Sequence, residues 1–197
     1  EPLDPEVPAG FLDVLAASHG VRVLDWDGVS DPPGDAGEPR DPLVERVRAM
    51  CDWQFGPGAA DALLDGEVTL RTSAKTGKVR NVHVGGEHVL SLRAEDGLFT
   101  LKAAGARKLH KAFEFPRMRL VVHADSAPFN REGKNVFAQF CEKWDATLRP
   151  GDECLVVTWN DELVACGQMH LAPGELGFFK KGLAAHVREG ATAPPST

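Results

Sequence analysis

Two cations flank a glycine within the stretch Pro128–Phe140, which is the part of the sequence best suited to binding chemistry. Arg131 and Lys134 lie on either side of Gly133. Because glycine has no Cβ, the backbone can pass close to a partner at this point, and the two cations can contact phosphate oxygens. The pattern predicts a phosphate-contact loop, although a solvated hairpin tip is the simpler interpretation of the loop taken alone.

The residues that follow this loop alternate in polarity and predict a strand. One side of the strand carries three apolar residues, Val136, Ala138 and Phe140. The other side carries Phe137 and Gln139. Phe137 is a candidate platform for a stacked base, although an aromatic residue on an alternating strand is more often part of a core.

Motifs for catalysis or metal binding do not occur in the sequence. The four cysteines, Cys51, Cys141, Cys154 and Cys166, form no CxxC pair. Their spacing argues against a zinc ribbon or a redox pair and favours free thiols in the cytoplasm. There is no GxSxG, HExxH or P-loop motif. We therefore expect no catalytic residue, no bound metal and no cofactor.

Two pairs of ligand-type residues have alternative interpretations. His83 and His88 flank a predicted hairpin turn and could lie together as a metal pair, but exposed strand residues explain them more simply. Asp25 and Asp27 could form a carboxylate pair, although an acidic linker is the simpler explanation.

The net charge of −7 is unevenly distributed along the chain. Residues 1–41 hold ten acidic residues against Arg22 and Arg40, a net charge of −8, so residues 42–197 are close to neutral. Residues 102–149 carry ten Lys and Arg against five acidic residues, a net charge of +5. Since charges more than about 10 Å apart are screened, the local excess decides whether phosphates are attracted. An acidic total therefore does not exclude RNA, and the alternative is a solvated helix face.

The chain divides into four segments by composition and pattern. Residues 1–41 are predicted to be an acidic leader and linker rich in Pro and Gly, and residues 191–197 a disordered tail. No apolar run is long enough to span a membrane, and no signal peptide is visible. Residues 42–115 and 116–190 are predicted to be two small folded domains.

Residues 42–115 have the pattern of an α+β domain. Asp41 and Pro42 are suited to the N-cap and first position of a helix, and a second short helix covers about 58–64. A helix over 103–113 would direct Arg107, Lys108 and Lys111 outward. Four strand-like runs lie between these helices: Val68–Thr72, Val79–Val84, His88–Leu92 and Leu98–Leu101.

Residues 116–190 predict a small, partly open β-barrel. Arg149–Asp152 has Pro at its second and Gly at its third position, the signature of a type II turn. Cys154–Thr158 and Leu163–Met169 predict a hairpin around Asn160 and Asp161. Leu183–Val187 predicts a final strand.

Several motifs of this sequence resemble those of a known family. Four of them resemble a PUA domain, the RNA-binding module of pseudouridine synthases and archaeosine transglycosylases: Gly133–Ala138, Arg149–Glu153, Ala165–Gly167 and Lys181–Ala184. Others resemble the domain that precedes PUA in archaeal tRNA-guanine transglycosylases and archaeosine synthases: Asp52–Gly56, Ser73 with Thr76–Arg80, and Arg93 with Asp96–Leu101. The resemblance covers residues 43–190 and implies a stand-alone archaeal protein built like the C-terminal part of those enzymes.

The resemblance implies RNA binding without catalysis, because the catalytic Asp, barrel and zinc site of the transglycosylase have no counterpart here, nor does the catalytic Cys motif of the synthase. PUA modules grip the acceptor stem or the 3′ end of tRNA. The residues expected to contact RNA are Arg131, Gly133, Lys134, Asn135, Arg149, Lys180, Lys181, Gly182 and Arg188, with Arg107, Lys108 and Lys111 as a secondary basic surface. Each cation could instead be a solvated surface residue.

We therefore expect an α+β protein in which a small α/β domain precedes a PUA-type pseudo-barrel of short, mostly antiparallel strands. We expect a non-catalytic, cytoplasmic tRNA-binding protein that acts with a tRNA-modifying enzyme of the archaeosine pathway, with no membrane or DNA partner. The first alternative is a protein–protein adaptor with little RNA binding of its own. The second is an enzyme, which would need a well-formed pocket with perturbed titratable groups.

Overall fold

The computed structural model describes residues 41–179 and 181–191. The predictions for residues 1–40, for Lys180 and for residues 192–197 lie outside these ranges. The helices of the described part are α1 (Pro42–Phe55), α2 (Ala59–Leu63), α3 (Ala103–Ala112), α4 (Ala127–Arg131) and α5 (Pro173–Leu176), with a 3₁₀ turn at Ala138–Phe140. Its strands are β1 (Val68–Thr72), β2 (Val79–Val84), β3 (Glu87–Leu92), β4 (Phe99–Leu101), β5 (Arg119–Val122), β6 (Val136–Phe137), β7 (Cys141–Trp144), β8 (Glu153–Val157), β9 (Leu163–Met169) and β10 (Leu183–Gly190).

The first half of the described chain is built from two helices and a meander, as predicted. The backbone N–H of Leu43 donates to the carboxylate of Asp41 at 2.9 Å, which satisfies one of the free donors at the start of α1. Strands β1 to β4 pair in sequence order, and every pairing is antiparallel. The α+β class is therefore confirmed.

The second half forms a six-stranded sheet in the order β6-β10-β9-β8-β5-β7. Strands β6 and β7 lie at opposite edges of this sheet, yet only the 3₁₀ turn Ala138–Phe140 separates them in the chain. Three residues span only about 6 Å in a 3₁₀ helix, so the sheet must curl until its edges approach each other. This curling produces the expected pseudo-barrel. Strands β5 and β8 pair in parallel and the other neighbours pair in antiparallel fashion.

The apolar core continues across the predicted domain boundary at residues 115 and 116. One buried cluster combines residues of the first half, such as Phe99 and Leu109, with Val121, Leu155 and Val157 of the pseudo-barrel. A second cluster fills the barrel interior. Because burial of apolar surface is the main stabilising contribution to folding, the shared cluster stabilises both halves together.

Helix α3 is held at both ends by side chains of the second half. The carboxylate of Glu189 accepts from the N–H of Ala103 at 2.8 Å and contacts Lys102 Nζ at 2.6 Å, so a negative charge lies at the positive end of the helix dipole. The buried guanidinium of Arg119 donates to the carbonyls of His110 and Phe113 at 2.8 and 2.9 Å, satisfying acceptors at the other end.

The stretch Pro128–Phe140 differs from its prediction. The expected turn is helix α4 followed by a short loop, and the expected strand stops at Phe137, where the 3₁₀ turn begins. The chain must turn here because β6 and β7 belong to opposite edges of the sheet. The predicted alternation of faces is nevertheless correct, since Val136 and Ala138 are buried whereas Phe137 and Gln139 are exposed.

The prediction that His83 lies at the surface is wrong. Val82, His83 and Val84 are all buried, because the β2–β3 pairing is irregular between Val82 and His83 and so interrupts the alternation of faces. His83 stacks on His88, with ring centroids 4.7 Å apart. Within the described residues, no group of three or more His, Cys, Asp or Glu is arranged to hold a metal, and no helix is long and apolar enough to cross a membrane.

Candidate nucleic-acid interface

Two glycine loops flank the β6 edge of the pseudo-barrel, one at each end of the strand. The Gly133 loop, residues 132–135, leads into β6, and Gly182 precedes β10. The N–H of Ala138 donates to the carbonyl of Gly182 at 3.0 Å, and Phe137 pairs with Leu183. Because the strands are antiparallel, Lys134 and Lys181 lie at opposite ends of β6, and both are exposed.

Both glycines are required by the backbone. Gly133 has a φ of 87° and Gly182 a φ of 124°, values that residues with a Cβ rarely adopt. No other group lies within 4 Å of the position that a Cβ would take at either residue. The backbone of both loops is therefore open to close approach by a ligand, as the sequence predicts.

The Gly133 loop is fixed by the fully buried Asn130, which was not among the predicted residues. Its amide nitrogen donates to the carbonyl of Lys134 at 3.0 Å, and its carbonyl oxygen accepts from the hydroxyl of Ser126 at 2.9 Å. The side chain of Asn135 accepts from the N–H of Val187 at 3.0 Å. Asn135 therefore holds β10 against the loop, and this structural contact occupies its side-chain oxygen.

Arg131 does not present a free guanidinium beside the loop. It is the last residue of α4, is half-buried, and its Nη2 lies 2.6 Å from Oε1 of Glu162 in the turn between β8 and β9. The same nitrogen is buried and has no hydrogen bond, so the contact is that of an ion pair without hydrogen-bond alignment. A carboxylate therefore compensates the charge that the sequence assigns to a phosphate.

Arg188 also has partners within the chain. Its Nη2 donates to Oε1 of Gln168 at 3.0 Å, and its Nε lies 3.4 Å from Oε1 of Glu153. Burial raises the pKa of Glu153 to about 7, although the N–H of Leu101 and the charge of Arg188 act in the opposite direction. Arg188 thus pairs with a buried carboxyl group of the same chain. Arg149, by contrast, is exposed.

The three cations of the secondary basic surface differ in their availability. Arg107 contacts Glu87 at 3.3 Å, and Nζ of Lys108 donates to the carbonyl of Asp65 at 2.9 Å. Lys111 is exposed at the end of α3. Arg107 is nevertheless exposed, and Lys180 lies outside the described residues. Among the described residues, the predicted cations that are exposed and form no salt bridge are Lys134, Lys181, Arg149 and Lys111.

Exposed aromatic side chains surround the two loops. Phe137 is 48% exposed and lies between Lys134 and Lys181, so its interpretation as a core residue is wrong. Its buried neighbours Val136 and Ala138 face the barrel interior, which directs Phe137 outward. Phe178 is 86% exposed, and Phe179 lies three residues before Gly182.

Phe129, Phe178 and Phe179 were not predicted as site residues. The signal for the last two was available in the sequence, because two consecutive aromatic residues lie directly before the basic Lys180–Gly182 segment. Aromatic residues close to cations are typical of surfaces that bind single-stranded nucleic acid. Phe129 gave no such signal, since its exposure depends on how α4 packs.

Comparison with known proteins finds a match for each half of the described chain. Residues 45–116 match the model of the patch-forming domain C2 of tRNA-guanine transglycosylase, and residues 118–191 match the PUA domain. The tRNA-guanine(15) transglycosylase of Thermococcus kodakarensis is 51% identical over 144 residues, which are 73% of this chain and 24% of that enzyme. The chain thus spans about a quarter of the length of this relative.

Solved structures share the fold at low sequence identity. A hypothetical protein from Pyrococcus horikoshii aligns with a TM-score of 0.60 and 20% identity, over 77% of this chain and 91% of that one. A conserved PUA domain protein from Thermoplasma acidophilum aligns with a TM-score of 0.53 and 17% identity, over 76% and 91% of the two chains. From the two domain matches and their order, this chain is a PUA-domain protein that resembles the C-terminal part of the archaeal tRNA-guanine(15) transglycosylases.

Proposed function

We propose that this protein is a non-catalytic RNA-binding protein that contacts the acceptor stem or 3′ end of tRNA and acts with a tRNA-modifying enzyme of the archaeosine pathway. The observation that supports this most is the β6 edge, where exposed Phe137 lies between exposed Lys134 and Lys181. We expect it to act in the cytoplasm and to have no DNA target.

Each part of this edge has a role in the proposed complex. Lys134 and Lys181 neutralise phosphates, which provides affinity without reading sequence. Gly133 and Gly182 let the RNA backbone approach the main chain. Phe137, with its aromatic neighbours before the Gly182 loop, offers unpaired bases a face on which to stack. A duplex stem beside them would be recognised through phosphates and 2′-hydroxyl groups.

Two carboxyl groups with perturbed pKa values, those of Asp145 and Glu153, have structural roles, which supports the proposed absence of catalysis. Asp145 is buried, and hydrogen bonds from Thr147 and Met118 hold its pKa below the usual value despite the opposing effect of burial. Glu153 accepts from the N–H of Leu101 at 3.0 Å. Both carboxyl groups therefore join backbone segments within the fold. The resemblance also covers only the C-terminal part of the relative.

The test is the salt dependence of tRNA binding by charge-reversal variants. The Lys134→Glu/Lys181→Glu variant should bind tRNA far more weakly, and the slope of log K against log salt should fall by about 1 for each lysine lost. Lys75→Glu/Lys78→Glu makes the same change of charge at the exposed β1–β2 turn and should retain binding. Equal losses in both variants, with unchanged melting, would indicate a diffuse charge effect and remove the β6 edge from the proposal.

The adaptor function is the second candidate, and the ion pairs of the predicted site favour it. Arg131, Arg188 and Arg107 are each paired with a carboxylate of this chain. If tRNA binding by the wild-type protein is weak and has no salt slope, the PUA-type fold is a docking module that makes little contact with RNA.

A further inference from the structure

A concave surface lies in the pseudo-barrel, at the turn between β8 and β9. It is a groove of about 540 Å³ lined by Val122, His123, Glu142, Trp159, Asn160 and Glu162. Neither Lys134 nor Lys181 lines it. We refer to it as the Trp159 groove.

Trp159 is presented to solvent by an ordered turn. Its side chain is 68% exposed. The N–H of Thr158 donates to the carbonyl of Glu162 at 2.9 Å, and the hydroxyl of Thr158 accepts from the N–H of Glu162 at 3.2 Å. Arg119 holds the carboxylate of the intervening Asp161, with Nε 3.2 Å from Oδ1. These contacts hold the backbone that carries the indole at the groove, and Trp159 belongs to neither buried cluster.

The charges around the indole are negative. Glu142 and Glu162 both line the groove, and Asp125 lies beside His123. Nδ1 of His123 lies 3.2 Å from the backbone nitrogen of Asp125 and 3.3 Å from its Oδ2, and Nε2 lies 4.0 Å from Oε1 of Glu142. Carboxylates around an aromatic face attract a cation and repel phosphate. This distinguishes the groove from the β6 edge, where aromatic residues lie among lysines.

One guanidinium already lies at this groove. Arg131 reaches Glu162 from α4, while the side chain of Glu162 remains 66% exposed. The carboxylate thus keeps an open side for a second cation, and Glu142 supplies another.

We propose that the Trp159 groove binds an arginine or lysine side chain presented by a partner protein, with the cation over the indole and against Glu142 and Glu162. Neither lysine of the β6 edge lines this groove, although its Glu162 also pairs with Arg131, and failure of the peptide to bind would leave the RNA-binding proposal unaffected. It gives the protein one surface for a nucleic acid and another for a basic protein segment.

The probe is a capped pentapeptide with two arginines, compared with the same peptide in which citrulline replaces arginine. The indole N–H resonance of Trp159, assigned with Trp159→Phe, should shift saturably with the arginine peptide in the millimolar range and remain still with the citrulline peptide. Glu142→Gln/Glu162→Gln should weaken binding about two- to fivefold, the size of an exposed cation–aromatic contact with its ion pair.

The matched controls are Glu95→Gln/Glu114→Gln and Trp53→Ala, which alter exposed carboxylates and an exposed indole outside the groove. Both should leave peptide binding unchanged. Equal binding of the citrulline peptide, or no shift with either peptide, would overturn the proposal. So would a shift of Trp159 by adenosine monophosphate in place of the arginine peptide, since that result identifies a nucleobase site.

Discussion

Nη2 of Arg131 lies 2.6 Å from Oε1 of Glu162, and this ion pair joins the end of α4 to the turn between β8 and β9. It controls the charge beside the Gly133 loop. While the pair is closed, Arg131 contributes little to the field that an approaching phosphate meets. In the proposed complex, the strength of RNA binding at this edge would therefore depend on a carboxylate that is far away in the sequence.

Replacing Glu162 by Gln should strengthen tRNA binding. The change releases Arg131 for a phosphate contact, so the slope of log K against log salt should become steeper by about 1. At moderate salt the affinity should rise several-fold. Fluorescence anisotropy with labelled tRNA over a salt series measures both quantities.

The Arg131→Gln background separates release of the arginine from a general change of charge. There, Glu162→Gln has no arginine to release and should have little effect on binding. An equal gain in both backgrounds would show that loss of a negative charge, rather than release of Arg131, is responsible.

Truncating Phe137 should weaken binding to the unpaired 3′ end of tRNA. Because the side chain is half-exposed, Phe137→Ala should change stability little, whereas the loss of one stacked base costs about 1–3 kcal/mol of binding free energy. Phe137→Trp keeps an aromatic face and should retain most of the affinity. A tRNA shortened by its unpaired 3′ nucleotides should bind the wild type and Phe137→Ala equally, and a persistent difference would place Phe137 against the stem.

Local signals in the sequence predict most of the elements, but not helix α4, the 3₁₀ turn or the state of the site. Asp41 and Pro42 determine the start of α1 through a cap and a fixed φ, and both effects act within a few residues. The pairing of Arg131 with Glu162 depends on the packing of α4 against the β8–β9 turn, which no local pattern records. The exposure of Phe137 likewise depends on β6 being an edge strand only two residues long.

Acid should destabilise the protein through the stacked imidazoles. Burial first, and then the charge of Arg71, lower the pKa of His83 below 6.5; burial, His83 and Lys102 lower that of His88. As the pH falls, the unfolded chain therefore binds protons at these two histidines before the folded chain does. Their stabilising effect is complete above about pH 6.5 and is lost as the pH falls toward the lowered folded pKa values. Urea unfolding measures this loss as the difference between the wild type and a variant without the His83 imidazole, because the titration of Glu153 acts in the opposite direction over part of this range.

His83→Leu should reduce the loss of stability in acid, because it removes one of the two titrating imidazoles. Nδ1 of His83 has no hydrogen-bond partner, so the substitution breaks no hydrogen bond at that atom. His170→Asn at an exposed position is the matched control, and the wild-type fall should persist in it. An unchanged fall in His83→Leu would assign the acid sensitivity to other groups.

Glu153 should produce a pH dependence of the opposite sign. Its side chain is fully buried, and burial raises its pKa from 4.5 to about 7 in the folded protein. The folded state therefore keeps a proton that the unfolded state releases. The contribution of Glu153 to the free energy of unfolding is greatest below about pH 4.5. On the order of 3 kcal/mol of this contribution is lost as the pH rises through about 7.

Glu153→Gln removes the titration and keeps an oxygen that can accept from the N–H of Leu101. The attraction of Arg188 acts only on the ionised form of Glu153 and is already included in its pKa of about 7, and in the variant that arginine stays partly exposed and bonded to Gln168. The difference in unfolding free energy between variant and wild type should thus move in favour of the variant between about pH 5 and about pH 8. Urea titrations at each pH give this difference directly. If the difference in unfolding free energy does not change with pH, Arg188 keeps Glu153 ionised over the whole range. The carboxylate would then be a permanent partner of that arginine.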